Sequence, residues 1–397
     1  MKKALFFVMT ICMGMMFIFS ETGFTAGPAP YVLGFSPEIT GRRAELGIAL
    51  KRGAVIALEK INADGGVNGR QLKAIFYDGQ SQPVANVKNA KKLIDVDRAI
   101  ALMGFTSVGG TLASVQTAED GKTLLFSAAP AIVTGTKTKP WLFTVVPDQR
   151  IASVPLLVQN LLDRGAKKIA YIYVDTAYGK LGIGAFKASC ENLGITPAIM
   201  EEYSPQAVDV TTQIAHIKSA GADGLLITGN LADSVKVIKT ARELGFDHPI
   251  VCDYAIVGPE FIKLGGELVE GIVSTSLKAL VAKDLPDSDV QKKVAMELYE
   301  EYTKQFKTFS LYPGHTWDQV MLIAKALEKV DAKLDPSKEE DLKMIRVQLR
   351  DGLENVKGFV GQNGVFNYSP TNHIGLGEGC YVKVVVKNGE WRLYENK

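Results

Sequence analysis

Short apolar runs alternate with longer amphipathic segments along most of this sequence, and few folds are compatible with that alternation. The runs have strand length, while the segments between them span about 10 to 18 residues and repeat apolar residues at helical spacing. This order is typical of parallel sheets covered on both faces by helices. One series precedes about residue 147 and another follows it, which predicts two doubly wound α/β lobes. The predicted strands are 31–35, 72–77, 99–104, 123–127, 168–175, 224–229, 249–253 and 271–276.

The stretch from residue 45 to residue 77, together with the predicted strand 31–35 before it, forms one β-α-β unit. Within 45–62, apolar residues recur along one face at helical spacing, with charged residues elsewhere. Gly65 and Gly66 follow, and glycine ends helices because it adopts positive φ without a Cβ clash. The apolar run 72–77 then predicts the next strand, which the Asp78-Gly79 turn ends.

Chain length and charge narrow the functional class. A chain of 397 residues is long enough for two lobes that each have a core. Hydrophobic residues make up 47% and charged residues 22%, as in an ordinary globular protein. The formal net charge is only +2, so the sequence predicts no nucleic-acid partner.

The N-terminal segment has the three-part layout of a secretory signal. Lys2 and Lys3 form a basic start, an apolar run covers 4–19, and the small and proline-rich stretch 25–30 follows. A membrane anchor normally needs about 20 apolar residues, which makes a retained anchor the weaker interpretation. We therefore predict that residues 1–26 are a signal peptide of an exported protein, with a cleavage site that the sequence does not define.

Cysteines and catalytic motifs give little support for an enzyme. Cysteines 190, 252 and 380 lie far apart without C-x-x-C spacing, which argues against a zinc site; one disulfide and three free thiols both remain open. The sequence has no P-loop motif, no H-E-x-x-H motif, and no G-x-S-x-G motif around Ser107. We predict no catalytic residues, no cofactor and no metal.

Small and polar residues follow three predicted strands, at the sheet edge where open α/β folds bind ligands. The segment 105–114 opens a helix, and its backbone N–H groups with the hydroxyls of Thr106 and Ser107 suit an anionic oxygen. The segment 128–136 permits close approach to backbone, and Tyr178 offers an aromatic wall. Each segment also fits an ordinary helix cap or turn, but their recurrence at strand ends favours a ligand-binding cleft.

A series of motifs in this order resembles a known family. The sequence is similar to the type I periplasmic binding proteins of ABC transporters, in their leucine/isoleucine/valine-binding branch. The similarity covers about residues 31–397, nearly all of the chain after the predicted signal. The segments that carry it are VLGFSPEITG (32–41), ALEKINADGGVNGR (57–70), FYDGQSQP (76–83), FTSVGGTLAS (105–114), YVDTAYGKLGIGAF (173–186) and EEYSPQAVDVTTQIAHIKSAGADGLLITG (201–229).

The resemblance implies two lobes joined by a three-strand hinge that closes over a solute. It assigns 31–147 and 276–358 to the first lobe, and 148–275 and 359–397 to the second. Segments 145–149, 274–277 and 358–364 are the implied hinge strands. It further implies a periplasmic monomer that delivers a small carboxylate-bearing solute, most simply a branched-chain or other apolar amino acid, to a membrane permease.

The resemblance also implies the site. Ser107 and the backbone of Ala129 with Pro130 or Ala131 are expected to hold a ligand carboxylate, and Tyr178 to pack on its apolar part. Asn230 and the Asp253/Tyr254 pair are expected to close from the second lobe. Leu46 and Trp317 lie near the implied pocket, with a helix-packing role equally open. The complete expected set is Phe105, Ser107, Ala129, Pro130, Ala131, Tyr178, Asn230, Asp253, Tyr254 and His315.

Two departures from the family pattern leave the ligand open. Pro130 and Ala131 stand where the family often has a threonine hydroxyl, and the family's acidic partner for an ammonium group aligns with Tyr254, one residue after Asp253. If Asp253 faces the cleft, we expect an amino acid, because a buried ammonium needs a carboxylate partner. If Tyr254 faces it, an aromatic or aliphatic carboxylic acid without an amine becomes the alternative. A sensory role for the same clamp also remains open.

Overall fold

The computed structural model describes residues 27–129, 139–148, 153–377 and 379–395, so the predicted signal peptide lies outside the described residues. The strands are β1 Tyr31–Phe35, β2 Leu72–Phe76, β3 Ala101–Met103, β4 Leu124–Ser127, β5 Leu142–Thr144, β6 Ile169–Val174, β7 Ile199–Tyr203, β8 Gly224–Thr228, β9 Ile250–Cys252, β10 Val273–Leu277, β11 Phe359–Val360, β12 Val365–Phe366, β13 Tyr381–Lys387 and β14 Glu390–Leu393. The α-helices are α1 Ala44–Ala63, α2 Pro83–Asp95, α3 Val108–Asp120, α4 Val154–Asp163, α5 Ala177–Asn192, α6 Thr211–Ser219, α7 Leu231–Glu243, α8 Pro259–Gly265, α9 Lys292–Phe306, α10 Pro313–Leu327 and α11 Glu339–Glu354.

In the described part of the chain, the first lobe is built on a five-stranded sheet. Its strand order is β2-β1-β3-β4-β5, and each adjacent pair is parallel. Leu33 is paired with Ala101 in register, and Phe126 with Phe143. These side chains are fully buried, as expected when helices cover both faces of a parallel sheet.

The second lobe is built on a seven-stranded sheet, again within the described residues. Its order is β14-β13-β10-β9-β8-β6-β7, in which β6 to β10 pair in parallel. The strands β13 and β14 add an antiparallel edge, where Val273 is paired with Val385. The predicted fold class, an α/β protein with two doubly wound parallel-sheet lobes, is confirmed, and the antiparallel edge adds to it.

The chain returns to the first lobe after β10. Helix α10 packs on α1 so closely that a Cβ on Gly53 would lie 2.1 Å from the carbonyl oxygen of Pro313. Arg346, on α11, donates hydrogen bonds to the carbonyl oxygens of Ile94 and Ala99, beside β3. Helices that follow β10 in sequence therefore complete the core of the first lobe.

The segment after α11 also contacts the first sheet. The hydroxyl of Tyr368 donates to the carbonyl oxygen of Thr144 at 2.9 Å, and the ring of His373 stacks on Phe143 with centroids 3.5 Å apart. The predicted division into lobes, with residues 359–397 in the second, stays a prediction. These contacts favour grouping 359–376 with the first lobe instead.

Candidate functional site

A cavity lies between the two lobes, beyond the carboxyl ends of strands from both sheets. Parallel strands present those ends at one edge of a sheet. The cavity lining comes mostly from segments that follow β1, β3 and β4 of the first sheet and β6, β8 and β9 of the second. This cavity, which we call the central cavity, has a volume of about 40 Å³. A neighbouring cavity of about 210 Å³ shares Leu46 and Tyr312 with it. The central cavity is lined by Arg43, Leu46, Leu50, Thr106, Ser107, Val108, Ala128, Tyr178, Asn230, Tyr254, Ala255, Tyr312 and His315.

The structure brings five of the predicted site residues together around the central cavity: Ser107, Tyr178, Asn230, Tyr254 and His315. Leu46 also lines it, while Trp317 is buried in the hydrophobic core. The sequence alone leaves a packing role open for both. The ligand-binding roles of these residues stay predictions.

Phe105 and Ala129 are not among the residues that line the central cavity. Phe105 is fully buried in a core cluster with Leu102 and Leu125 rather than in the cavity lining. Ala129 is buried, and its backbone N–H donates to Ser127 Oγ at 3.0 Å. Pro130 and Ala131 fall outside the described residues. We expected the backbone N–H of Ala129 to donate to a ligand carboxylate, but in the structure this N–H already donates to Ser127 Oγ.

Ser107 is the N-cap of α3, and its hydroxyl group already has two partners. Its Oγ accepts the backbone N–H of Gly110 at 3.0 Å and donates to Glu38 Oε1 at 2.5 Å. The buried Glu38 in turn pairs with Arg43, whose Nη1 lies 3.0 Å from Oε2. The hydroxyl proton of Ser107 is thus directed at Glu38, and Arg43 brings the positive charge to the cavity.

Sequence reasoning missed Glu38 and Arg43. Both belong to the segment 36–43, which directly follows β1. The rule that ligands gather beyond the carboxyl ends of strands applies to β1 as well as to β3 and β4. That rule is the signal by which the two residues could have been found.

Tyr254, rather than Asp253, lines the central cavity. Asp253 Oδ1 accepts from Ser153 Oγ and from the backbone N–H of Tyr254, both at 2.7 Å, and Oδ2 accepts from Tyr178 Oη at 3.0 Å. Burial raises the pKa of Asp253. The carboxylate therefore supports the cavity wall, where it orients Tyr178.

Two residues that line the central cavity have a buried hydroxyl group without a hydrogen-bond partner among the described residues: Thr106 (Oγ1) from the first lobe and Tyr254 (Oη) from the second. A buried hydroxyl without a partner costs about 1–3 kcal/mol. Among the described lining residues, Arg43 is the only one that carries a formal charge. The cavity thus offers hydrogen-bond donors and a cation to a bound molecule.

Polar contacts join the two lobes across the cleft. Arg42, beside α1, forms an ion pair with Asp233 of α7 at 2.8 Å and donates to the carbonyl oxygen of Pro205. Tyr312 Oη donates to the carbonyl oxygen of Ala255 at 2.8 Å. The Arg42 contacts lie at the rim of the cleft, whereas Tyr312 and Ala255 line the cavity itself.

The described part of the chain has three cysteines, at positions 190, 252 and 380. Cys190, Cys252 and Cys380 are buried free thiols there, which settles the open disulfide question in favour of thiols. Burial raises the pKa of Cys190 and Cys380 to about 11. The described residues include no cluster of three or more histidine, cysteine or acidic side chains suited to a metal. None of the described helices is long and apolar enough to cross a membrane.

Comparisons with known proteins agree with this architecture. A curated amino acid binding protein of Pseudomonas aeruginosa is 26% identical over 252 residues, covering 62% of this chain and 67% of the relative. The leucine-, isoleucine-, valine-, threonine- and alanine-binding protein of the same organism is 25% identical over 304 residues, covering 76% of this chain and 78% of the relative.

Solved structures share the fold over almost the whole chain. An extracellular ligand-binding receptor from Rhodopseudomonas palustris HaA2 has a TM-score of 0.83 at 26% identity, covering 92% of this chain and 99% of that one. The substrate-binding protein of a branched-chain amino acid transporter from Streptococcus pneumoniae, solved with isoleucine, has a TM-score of 0.76 at 21% identity, with coverage of 92% and 99%.

A family model described as periplasmic binding protein matches residues 30–390. This match covers the five-stranded sheet, the seven-stranded sheet apart from most of β14, and every residue of the central cavity. It confirms the family that the motifs resemble. The chain belongs to the periplasmic binding protein family.

Proposed function

We propose that this protein captures a small carboxylate-bearing solute between its lobes outside the cytoplasm and delivers it to an ABC permease. The observation that carries the proposal is the central cavity between the lobes, where Arg43 supplies a cation and Thr106 and Tyr254 supply unpartnered hydroxyls. A carboxylate oxygen accepts hydrogen bonds from all three groups. Leu46 and Leu50 supply apolar surface beside them.

An amino acid with an apolar side chain is the first candidate solute. The names of the two Pseudomonas aeruginosa relatives support it, since both describe amino acid binding proteins. The apolar lining residues suit a branched side chain, and Arg43 suits the α-carboxylate.

A carboxylic acid without an amine is the second candidate, favoured by the position of Asp253. Both oxygens of Asp253 accept hydrogen bonds within the protein, and Tyr254 stands at the cavity wall in its place. Among the described residues, no carboxylate lines the central cavity. An ammonium without a charged partner in a closed cleft costs on the order of several kcal/mol.

Leucine and 4-methylpentanoate separate the two candidates, because these molecules differ only in the α-ammonium group. Thermal-shift and calorimetric titrations of each measure solute binding directly, since a solute that binds the folded state raises stability by mass action. Tighter binding of leucine identifies an amino acid site, and tighter binding of 4-methylpentanoate identifies the second class. A wider panel of amino acids and carboxylates without any shift contradicts the proposal.

Export and delivery form the cellular part of the proposal. The predicted signal peptide over residues 1–26 and the family support a periplasmic location, where we propose that the protein acts as a monomer. We expect the full-length chain to accumulate in the periplasmic fraction and a chain without residues 1–26 to stay in the cytoplasm. Uptake of a labelled solute that is unaffected by deletion of the gene would contradict delivery.

A further inference from the structure

Asn363 lies in the turn between β11 and β12, which is fixed to helix α10. The backbone N–H groups of Gln362 and Asn363 donate to Asp318, to Oδ1 at 2.7 Å and to Oδ2 at 2.8 Å. Asp318 is on α10, three residues after His315, which lines the central cavity. This double contact fixes the backbone of Asn363 beside the His315 ring.

The side chain of Asn363 bridges two groups of the first lobe. Its Nδ2 lies 2.6 Å from the carbonyl oxygen of Val145 and 2.9 Å from His315 Nδ1. A carbonyl oxygen only accepts hydrogen bonds, so the atom that faces Val145 must be the amide nitrogen, which has two hydrogens. The opposite orientation of the amide would bring two oxygens together. One hydrogen therefore serves Val145 and the other serves His315 Nδ1.

A ring nitrogen that accepts a hydrogen bond carries no proton, so neutral His315 has its proton on Nε2. The ring is fully buried, and burial lowers the pKa of His315 to about 4, which keeps it uncharged at neutral pH. Nε2 has no partner among the described residues, although His315 lines the central cavity.

We propose that Asn363 is a positioning residue that fixes His315 as the Nε2–H tautomer, so that the central cavity presents a neutral N–H donor to an acceptor atom of the solute. This inference rests on the proposed function for the solute, but the tautomer itself does not. The fixed donor adds to Arg43, Thr106 and Tyr254 and selects a carboxylate, carbonyl or hydroxyl oxygen at this position. An ammonium group at the same position is disfavoured, because both partners would then be donors.

Nitrogen-15 NMR of the solute-free protein labelled at histidine tests the tautomer. We expect His315 to show a protonated Nε2 and an unprotonated Nδ1 at pH 7, with the signal assigned by its loss in His315→Gln. His373 is an internal control, because its Nδ1 lies 3.0 Å from the carbonyl oxygen of Leu142 and must carry the proton. A proton on Nδ1 of His315 overturns the inference.

Asn363→Ala tests the role of the amide. We expect mixed tautomers of His315 and about tenfold weaker binding of whichever probe, leucine or 4-methylpentanoate, binds the native protein. Asn363→Asp is expected to reverse the tautomer, since a carboxylate accepts the Nδ1 proton. An unchanged tautomer in both folded variants overturns the role of Asn363. If the native tautomer is as expected but no carboxylate or amino acid binds, the proposed function fails while the tautomer assignment stands.

Discussion

At the level of single residues, the ion pair of Arg43 with Glu38 has two roles that can be separated. Arg43 neutralises a buried carboxylate and also lines the central cavity. Removing one partner of a buried pair costs about 3–5 kcal/mol, because the other charge is left uncompensated. Loss of solute binding in a single variant therefore needs a stability control.

We expect Arg43→Ala to weaken carboxylate binding at least tenfold and to lower the free energy of unfolding. The double variant Glu38→Gln/Arg43→Ala is expected to recover stability without recovering binding, because the neutral amide no longer needs a cation while the cavity still lacks one. Urea unfolding and calorimetric titration measure the two effects. Arg164→Ala, at an exposed arginine of the second lobe, is the control. Recovery of binding in the double variant would contradict a direct role for Arg43.

His315 gives a pH dependence with a defined sign. Its folded pKa of about 4 lies below the ordinary value of 6.5, so the unfolded chain binds a proton between these values and the folded protein does not. Folding stability is therefore lost as pH falls from about 6.5 to 4, by up to about 1.4 kcal/mol per pH unit. We expect His315→Gln to remove this pH dependence. As pH falls from about 6.5 to 4, the free energy of unfolding of the variant should therefore rise relative to that of the native protein. Urea unfolding at each pH measures the difference, and a constant difference contradicts the low pKa.

At the level of helices and strands, the close contact between α1 and α10 requires a glycine, Gly53, at the point where the two helices meet. A Cβ on Gly53 would meet the backbone of Pro313, which cannot move without shifting the start of the helix that carries His315. Pro313 also begins α10, where its lack of an N–H costs no helical hydrogen bond. The position of the cavity wall thus follows from a glycine on another helix.

We expect Gly53→Ala to destabilise the protein by about 1–3 kcal/mol through overpacking, with weaker solute binding because α10 is displaced. Gly184→Ala is the matched control, since Gly184 lies inside α5 and a Cβ added there would have no atom within 4 Å. The control is expected to gain about 0.5–1 kcal/mol, because alanine favours the helix. Thermal unfolding of both variants gives the comparison. Equal changes in the two would show that close approach at Gly53 does not matter.

At the level of the entire protein, the Arg42 contacts with Asp233 and Pro205 join the lobes at the rim of the cleft. Contacts made only in the closed state favour closure, and thereby raise the apparent affinity for a solute that binds that state. The Arg42 side chain is 45% exposed, so the ion pair contributes at most about 1 kcal/mol.

We expect Arg42→Ala to weaken solute binding up to about fivefold while leaving the unfolding midpoint almost unchanged, and small-angle scattering to show a larger radius of gyration without solute. Lys60→Ala is the matched control, because Lys60 pairs with Glu297 at 2.7 Å inside the first lobe and is similarly exposed, at 41%. Equal effects of the two changes on binding would contradict a role for Arg42 in closure.

The fold class could be predicted from local sequence, because strand and helix periodicity is written in neighbouring residues. Each of the eight predicted strands is present with small shifts at its ends, for example 72–77 against Leu72–Phe76. The list of predicted strands lacks β5, β7 and β11 to β14. Strand β7 was missed because its side chains are partly exposed at a sheet edge and lack the continuous apolar pattern of a central strand. Family membership was equally readable, since its motifs are local.

Which side chains meet in the cleft depends on tertiary contacts that local sequence does not contain. Asp253 and Tyr254 are adjacent in sequence, yet Ser153 and Tyr178 hold the first behind the wall while the second lines the cavity. Arg43, Asn363 and their partners come together from distant parts of the chain. The physical reason is that one residue step at a strand end reverses the direction of a side chain, and contacts distant in sequence settle that direction.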